Sequence, residues 1–222
     1  MSEQKFENWP AVLADLSEGR DLDSKTAEAA LMSVLRGEAT DAQLAAFVVA
    51  LRQKEETVDE LSGLVRAMRF ACIPINCSPE TIDLVGAGGS QIGRKAALNV
   101  STIASFVAAG AGAKVCKHGN RKASSTSGSF DLLEELSIAA ELTPEQVSHC
   151  VEEVGVGFAY ARSFHPAMRH ASQVRMELGI PTVFNLLGPL SHPASLTRQV
   201  IGVPIEATGK RMAEVLKATG TE

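Results

Sequence analysis

The residues best suited to chemistry lie in one polar run, KHGNRKASSTSGS, from Lys117 to Ser129. The run combines four basic or titratable side chains with two glycines and five serine or threonine hydroxyls, and it contains no large apolar residue. Lysine offers a point charge and arginine a planar fork to a phosphate group, while glycine allows a close backbone approach. Because the whole chain carries a formal net charge of −5, this local positive charge indicates a small anionic ligand rather than a nucleic acid.

A second run, VGAGGSQIG (85–93), follows a predicted strand and precedes a predicted helix. Glycines in such a loop let backbone N–H groups point toward an anion. The run is not a dinucleotide fingerprint, which requires glycine where Gln91 stands, and it is not a P-loop, because Gly93 is followed by Arg94 and Lys95. A tight structural turn explains this loop equally well when it is taken alone.

The third run, NVST (99–102), opens the next predicted helix. Asn99, Ser101 and Thr102 can place polar side chains beside the first N–H groups of that helix, a setting that favours phosphate or Mg²⁺. Ordinary helix capping is the alternative for this run alone. Since all three runs follow predicted strands, we expect them to converge on one edge of a sheet.

The secondary structure predicted for the N-terminal part of the chain differs from that predicted for the rest, which contains these runs. Residues 1–73 are predicted to form a helical domain of three consecutive amphipathic helices, two of which begin at capping boxes, TDAQ (40–43) and TVDE (57–60). A Pro-containing linker follows near Cys72. From about residue 81, strand and helix patterns alternate, so residues 74–222 are predicted to form an α/β domain with a mostly parallel sheet.

Composition narrows the class of protein further. The chain has 222 residues, of which 45 % are hydrophobic, enough for a buried core. No apolar run approaches the ~20 residues that a membrane span requires, and the polar N-terminus does not resemble a signal peptide. Four cysteines without paired metal-ligand spacing are expected to be reduced thiols. We therefore expect a cytoplasmic protein that binds neither membranes nor nucleic acid.

Five motifs together resemble the anthranilate phosphoribosyltransferase family of tryptophan biosynthesis: GAGGS (86–90), NVST, KHGNRKASSTSGS, FHPAM (164–168) and VRMELGIPTVFNLLGPL (174–190). The resemblance implies a nucleoside phosphorylase/phosphoribosyltransferase-like fold, in which helices from about 165–190 join the N-terminal helical domain. It implies a homodimer that associates through that domain. It also implies transfer of the phosphoribosyl group of phosphoribosyl pyrophosphate (PRPP) to anthranilate, with Mg²⁺ and with release of pyrophosphate.

The resemblance also assigns site residues, position by position. No residue is assigned a covalent or acid–base role, since positioning and charge stabilisation carry such a reaction. Ser101 matches a Mg²⁺ ligand. The anthranilate contacts are Gly86, Asn120, His165 and Arg175, with the arginine fork facing the carboxylate. The PRPP contacts are Gly86, Gly89, Ser90, Asn99, Val100, Ser101, Thr102, Lys117, His118, Gly119, Asn120, Arg121, Ser124, Ser125 and Ser129.

Some positions depart from the family pattern. Ala87 and Ser90 replace a threonine and an aspartate of the family's glycine loop, and the connection from Ser90 to Leu98 is about three residues longer. Family members also continue beyond the helix that ends this chain, with an Asp-Glu pair that holds Mg²⁺, so the α/β domain is expected to be incomplete at its C-terminus. Two alternatives stay open: a diverged or truncated PRPP-binding homologue without catalysis, and a phosphoribosyltransferase with another acceptor.

Overall fold

The structure is a computed structural model that describes residues 6–87, 98–121 and 127–221. The chain divides into two compact units. The helical unit comprises the chain up to Cys72 together with Pro166–Ser191 and Lys210–Thr219. The α/β unit comprises Ile73–His165, His192–Gly209 and the residues from Gly220 onward.

The helical unit is built from seven helices of the described chain: α1 (Trp9–Ser17), α2 (Ser24–Leu35), α3 (Asp41–Lys54), α4 (Val58–Phe70), α9 (Arg169–Leu178), α10 (Phe184–Leu190) and most of α11 (Glu206–Ala218). A short 3₁₀ turn, Pro166–Met168, precedes α9. The sequence analysis placed residues 210–219 in the α/β domain. They belong to the helical unit because Arg211 pairs with Glu55 and Glu56, and because Arg69 donates to the Thr219 carbonyl.

The helix starts follow from local capping chemistry. The capping boxes predicted at Thr40 and Thr57 are both present, with the N3 side chains of Gln43 and Glu60 reaching back to the cap N–H groups. The apolar period predicts that the first of the three expected helices includes Leu22, but the corresponding helix, α2, begins at Ser24, and α1 before it was not predicted. The carboxylate of Asp23 accepts the N–H groups of Lys25 and Thr26, both at 2.9 Å, and so ends the extended segment there.

Close packing of α2 on α4 depends on a residue without a side chain. A Cβ atom added to Gly63 would lie 2.0 Å from the backbone oxygen of Ser24. Any residue larger than glycine would therefore clash with the backbone of α2. On α3, Leu44, Phe47, Val48 and Leu51 are buried, whereas Ala46 and Val49 of the same apolar stretch are exposed. Within the described ranges, no helix is both long enough and apolar enough to span a membrane.

A buried ion pair lies within the helical unit. The Glu60 carboxylate is fully buried and accepts the Leu22 and Thr57 N–H groups at 2.9 and 2.8 Å. The Lys54 ammonium, whose side chain is 7 % exposed, donates to Glu60 at 3.0 Å, to Asp21 at 2.6 Å and to the Glu55 carbonyl at 3.0 Å. Each of the three donors of the ammonium therefore has an acceptor.

The α/β unit contains a four-stranded parallel sheet with strand order β3-β2-β1-β4, which confirms the predicted parallel pairing. The strands are β1 (Ile82–Gly86), β2 (Val115–Gly119), β3 (Val156–Tyr160) and β4 (Arg198–Gly202). The helices are α5 (Val100–Gly110), α6 (Ser129–Glu135), α7 (Pro144–Val154) and the single turn α8 (Ala161–Phe164).

Alternating strand residues build a separate core on each face of this sheet. Cys116 and Ala159 pack with Val147 and Val151 of α7 on one face. Phe158 and Tyr160 pack on the other face with side chains of α5 and α6, including Phe130. Helices therefore cover both faces of β2 and β3, as parallel sheets require, and the strand ends are held at one edge.

Candidate phosphate-binding site

Two strands end in glycine at the same edge of the sheet. Ile82 of β1 is in register with Val115 of β2, so Gly86 and Gly119 end their strands at the same level. The carboxyl edge of a parallel sheet is the usual place for ligands. Gly119 is closely packed, since an added Cβ would lie 3.0 Å from both Cβ and Oγ of Ser129. The backbone of Gly119 and the Ser129 hydroxyl, two predicted PRPP contacts, are thus brought together.

The start of α5 reaches the same segment. The Asn99 amide nitrogen donates to the Ser127 hydroxyl at 3.0 Å, which joins the NVST run to the polar run that begins at Lys117. As a result, Asn99 makes no side-chain cap on the helix that it precedes. The hydroxyl of Thr102 is buried and has no hydrogen-bond partner among the described residues. An uncapped helix start beside an unused hydroxyl suits an anion.

Lys117 is the buried cation of this edge. Its side chain is among the largest fully buried ones, and Nζ donates to the Leu84 carbonyl at 2.6 Å and to its neighbour's carbonyl, that of His118, at 3.5 Å. Burial lowers the pKa of Lys117, and the nearby charge of Asp83 counters part of that effect. Two of the three ammonium donors are used by backbone carbonyls, which leaves one for a ligand.

Asp83 was missed by the sequence analysis. Its side chain is fully buried; Oδ1 accepts the His118 backbone N–H at 3.1 Å, and Oδ2 accepts the Gln199 side-chain amide at 3.2 Å. The available signal was a single carboxylate inside an otherwise apolar strand pattern, IDLVG. A carboxylate is rarely buried unless it is bonded.

Three imidazoles cluster under the end of β2. The ring of His118 lies 5.1 Å from that of His165 and 5.5 Å from that of His192, and all three residues are buried. His192 Nε2 must donate to the Cys116 carbonyl at 2.9 Å, so its Nδ1 accepts the Ala194 N–H at 3.0 Å. The predicted contacts His118 and His165 therefore direct their rings into the protein interior, and the His118 N–H is bonded to Asp83.

The residues after Gly119 turn toward α6. The side-chain oxygen of Asn120 accepts the Arg121 N–H at 2.8 Å, and its backbone carbonyl accepts the Phe130 N–H at 3.3 Å. Arg121 lies 5.7 Å from the Tyr160 ring centroid and 3.6 Å from the Glu134 carboxylate. Asn120 is exposed at the edge, whereas Arg121 already has an anionic neighbour.

Arg175, the predicted carboxylate partner, belongs to the helical unit on α9. Its guanidinium lies 5.0 Å from the ring centroid of Phe184, and burial lowers its pKa. In the ranges that the structure describes, no carboxylate pairs with it. A half-buried planar cation held on an aromatic ring is suited to bind a carboxylate in two-point fashion.

Several predicted site residues are not tested by the structure. Gly89, Ser90, Ser124 and Ser125 lie outside the described residues, as do Arg94 and Lys95. Val100 opens α5 with its side chain 66 % exposed, so only its backbone can serve an anion.

A hydroxyl at the start of α5 has the chemistry of a Mg²⁺ ligand. Ser101 is half-buried at the start of α5, next to the unbonded Thr102 hydroxyl, and such hydroxyl oxygens are hard ligands. Among residues 6–87, 98–121 and 127–221, no three His, Cys, Asp or Glu side chains group as a metal site. These residues suit a Mg²⁺ that arrives with phosphate oxygens and keeps several waters.

Comparison with known proteins agrees with this arrangement. The profile of the glycosyl transferase family α/β domain matches residues 78–222, and that of the family's helical bundle domain matches residues 10–72. Anthranilate phosphoribosyltransferases from Arthrobacter sp. (strain FB24) and Streptomyces griseus are 46 % and 47 % identical to this chain over 96 % of its length. The chain spans about 60 % of the length of these curated relatives.

Solved structures of anthranilate phosphoribosyltransferases resemble the fold of this chain. The anthranilate phosphoribosyltransferase of Thermus thermophilus superposes with a TM-score of 0.87 at 42 % identity, over 95 % of this chain and 63 % of that one. The Saccharomyces cerevisiae enzyme in complex with PRPP and Mg superposes with a TM-score of 0.83 at 27 % identity, over 97 % of this chain and 64 % of that one. With both of its units matched by family profiles, the chain belongs to the glycosyl transferase family that combines a helical bundle domain with an α/β domain.

Proposed function

We propose that the chain binds PRPP at the carboxyl edge of its sheet and transfers the phosphoribosyl group to anthranilate. The main support is the hydrogen bond from Asn99 to Ser127, because it brings together the NVST run and the polar run, both of which are suited to bind phosphate. A relative of known structure was solved with PRPP and Mg, and another with 4-fluoroanthranilate, which supports this choice of substrates.

The proposed reaction needs positioning more than acid–base catalysis. Pyrophosphate leaves the anomeric carbon while the anthranilate amine attacks it, so negative charge grows on the leaving oxygen and positive charge on the sugar ring. The start of α5 and the third donor of Lys117 would face the phosphates. Gly86 and Gly119 would let backbone come close to the ligand.

Mg²⁺ would supply charge neutralisation for the pyrophosphate when bound. In this chain the Ser101 hydroxyl would be its protein ligand. The Thr102 hydroxyl, buried without a partner among the described residues, would donate to a phosphate oxygen. The carboxylate of anthranilate would pair with the Arg175 fork, which already lies over the ring of Phe184.

Anthranilate fluorescence tests the proposal. In the presence of PRPP and Mg²⁺ we expect the signal to fall, and we expect no fall when either is omitted. Arg175→Lys removes the fork but keeps the charge, so the KM for anthranilate should rise about tenfold, roughly the value of one charge-assisted hydrogen bond. Arg169→Lys, on an exposed position of the same helix, is the matched control and should leave the KM unchanged.

The other outcomes separate the alternatives. Saturable PRPP binding by calorimetry with a flat fluorescence trace would favour a PRPP-binding homologue without catalysis. Consumption of PRPP with a different amine but not with anthranilate would favour another acceptor. A chain that neither binds nor consumes PRPP would contradict the proposal.

A further inference from the structure

The pairing of β1 with β2 is unlike that of the other strand pairs. β1 and β4 are in register at five residue pairs, and so are β2 and β3. β1 and β2, all of whose residues are described, are in register only at Ile82 and Val115. Beyond that pair the two strands stay adjacent but lack backbone register pairs toward their carboxyl ends, at the edge where the proposed PRPP site lies.

Two side-chain hydrogen bonds replace backbone pairing between these strand ends. The His118 N–H of β2, which would otherwise pair with β1 backbone, donates to the Asp83 carboxylate at 3.1 Å. Lys117 Nζ, also from β2, donates to the Leu84 carbonyl of β1 at 2.6 Å. The strand ends are therefore joined by specific side-chain bonds, and each of them involves a residue at the start of the polar run.

The strand on the other side of β1 also holds Asp83 in place. Its second oxygen accepts the amide of Gln199, on the neighbouring strand β4, at 3.2 Å. The side chain is fully buried, and burying a carboxylate is unfavourable unless its bonds are strong. An apolar residue would pack in this strand without that penalty, so the carboxylate needs a reason beyond packing.

We propose that Asp83 is a positioning residue for the PRPP site. By accepting the His118 N–H it prevents the ends of β1 and β2 from pairing, and it thereby holds residues 117–120 in the conformation that receives the phosphates. This inference rests on the proposed function of the same site.

The hydrogen bond, rather than the charge, carries this role. A negative charge close to a phosphate site opposes anion binding by simple Coulomb repulsion. An asparagine at position 83 keeps an oxygen acceptor for the His118 N–H and loses the charge. If Asp83 acts through its bond, the amide therefore serves nearly as well, whereas a side chain without an acceptor does not.

Calorimetric titration of the chain with PRPP in the presence of Mg²⁺ tests the proposal. We expect Asp83→Asn to keep the Kd within about threefold of the unchanged chain. Asp83→Ala should raise the Kd about tenfold, the equivalent of one lost hydrogen bond. If the alanine variant does not fold, Asp83→Ser replaces it, because the serine side chain is one bond shorter and does not place its oxygen at the His118 N–H.

Glu60→Gln is the matched control. Glu60 is also a buried carboxylate that accepts backbone N–H groups and faces a lysine, but it lies in the helical unit. The control should lower the unfolding midpoint without changing the Kd for PRPP. A purely structural role for Asp83 would give the same result in the alanine or serine variant.

The outcomes separate the two proposals. Tight PRPP binding by the unchanged chain, with an equal Kd in folded Asp83→Ala or Asp83→Ser, would overturn the positioning role and leave the proposed function intact. A weakened Asp83→Asn variant, as weak as Asp83→Ala, would overturn the assignment to the hydrogen bond. No PRPP binding by the unchanged chain would contradict the proposed function itself, and the role of Asp83 in it.

Discussion

Among the described residues, each unit has one lysine whose side chain is nearly inaccessible to solvent, and the two lysines have different partners. Lys54 of the helical unit has two carboxylates and a carbonyl for its three donors. Lys117 of the α/β unit has two backbone carbonyls, and no carboxylate is bonded to it within the described ranges. Lys117 is fully buried, whereas Lys54 reaches the partly exposed Asp21, so the two lysines differ both in their partners and in their depth of burial.

The directions of the pKa shifts express this difference. Burial lowers the pKa of Lys54, but its hydrogen bonds and charge interactions with Asp21 and Glu60 outweigh burial, and the net pKa is raised. For Lys117, burial is the larger effect and the charge of Asp83 the smaller, so the net pKa is lowered. The charge of Lys54 is thus compensated inside the protein, whereas that of Lys117 is only partly compensated.

An incompletely compensated buried cation is characteristic of a functional site. The protein structure forgoes stability at Lys117, and an anionic ligand can restore it. Lys54 together with Glu60 instead secures the start of α4 and the segment around Leu22.

Lys54→Met should lower the free energy of unfolding by about 3 kcal/mol, because it leaves the buried Glu60 carboxylate without its cation. Urea denaturation measures this change. The Kd for PRPP of the folded variant should not move. An unchanged unfolding free energy would show that Lys54 is not a structural ion-pair partner. The contrast between a structural Lys54 and a ligand-binding Lys117 would then not hold for Lys54.

Lys117→Met should have the reverse profile. We expect the affinity for PRPP to fall about 30-fold, which corresponds to about 2 kcal/mol for a charged hydrogen bond to phosphate. The unfolding free energy should change by less than about 1 kcal/mol, since an apolar side chain of similar length replaces a partly compensated charge. Calorimetry and urea denaturation on one preparation give both values, and a large loss of stability with intact PRPP affinity would reverse the assignment.

The smallest effect is the alkaline pH dependence of stability, and the two lysines contribute with opposite signs. A raised folded-state pKa makes the contribution of Lys54 fully present below its ordinary value of 10.5 and lost as pH rises through the folded value. A lowered folded-state pKa makes the charge of Lys117 unfavourable at neutral pH, and that cost disappears as pH approaches 10.5.

Denaturation curves between about pH 9 and 11, run on the unchanged chain and on both methionine variants, measure these slopes. Relative to the unchanged chain, Lys54→Met should lose less stability with rising pH and Lys117→Met should gain less, each by less than about 1 kcal/mol. Equal slopes in the two variants would remove the electrostatic basis of the contrast.

Much of the fold was predictable because its signals are local. The boxes at Thr40 and Thr57 begin α3 and α4 as expected, since each depends on residues three positions apart. The four strand patterns and their parallel arrangement were also predicted correctly. The start of α2 was placed too early because the apolar period continues through Leu22, and only the Asp23 cap marks the boundary.

The candidate site was predicted as segments, but the partners of its side chains were not. The polar run, the glycine loop and NVST stand out because small hydroxyl residues, glycine and lysine are the residues that suit a phosphate. The burial of Lys117, the inward rings of His118 and His165, and the Asn99–Ser127 bond all depend on contacts between residues distant along the chain. No pattern of neighbours along the sequence contains that information.

The alternation of strand and helix, the capping boxes and the family can be read from residue type and short spacing, and the same patterns predict segments suited to an anion. Folding alone brings the Asp83 carboxylate to the His118 N–H and leaves Lys117 without the carboxylates that Lys54 has. The free energy of a buried charge depends on every group around it, and those groups come together only when the chain folds.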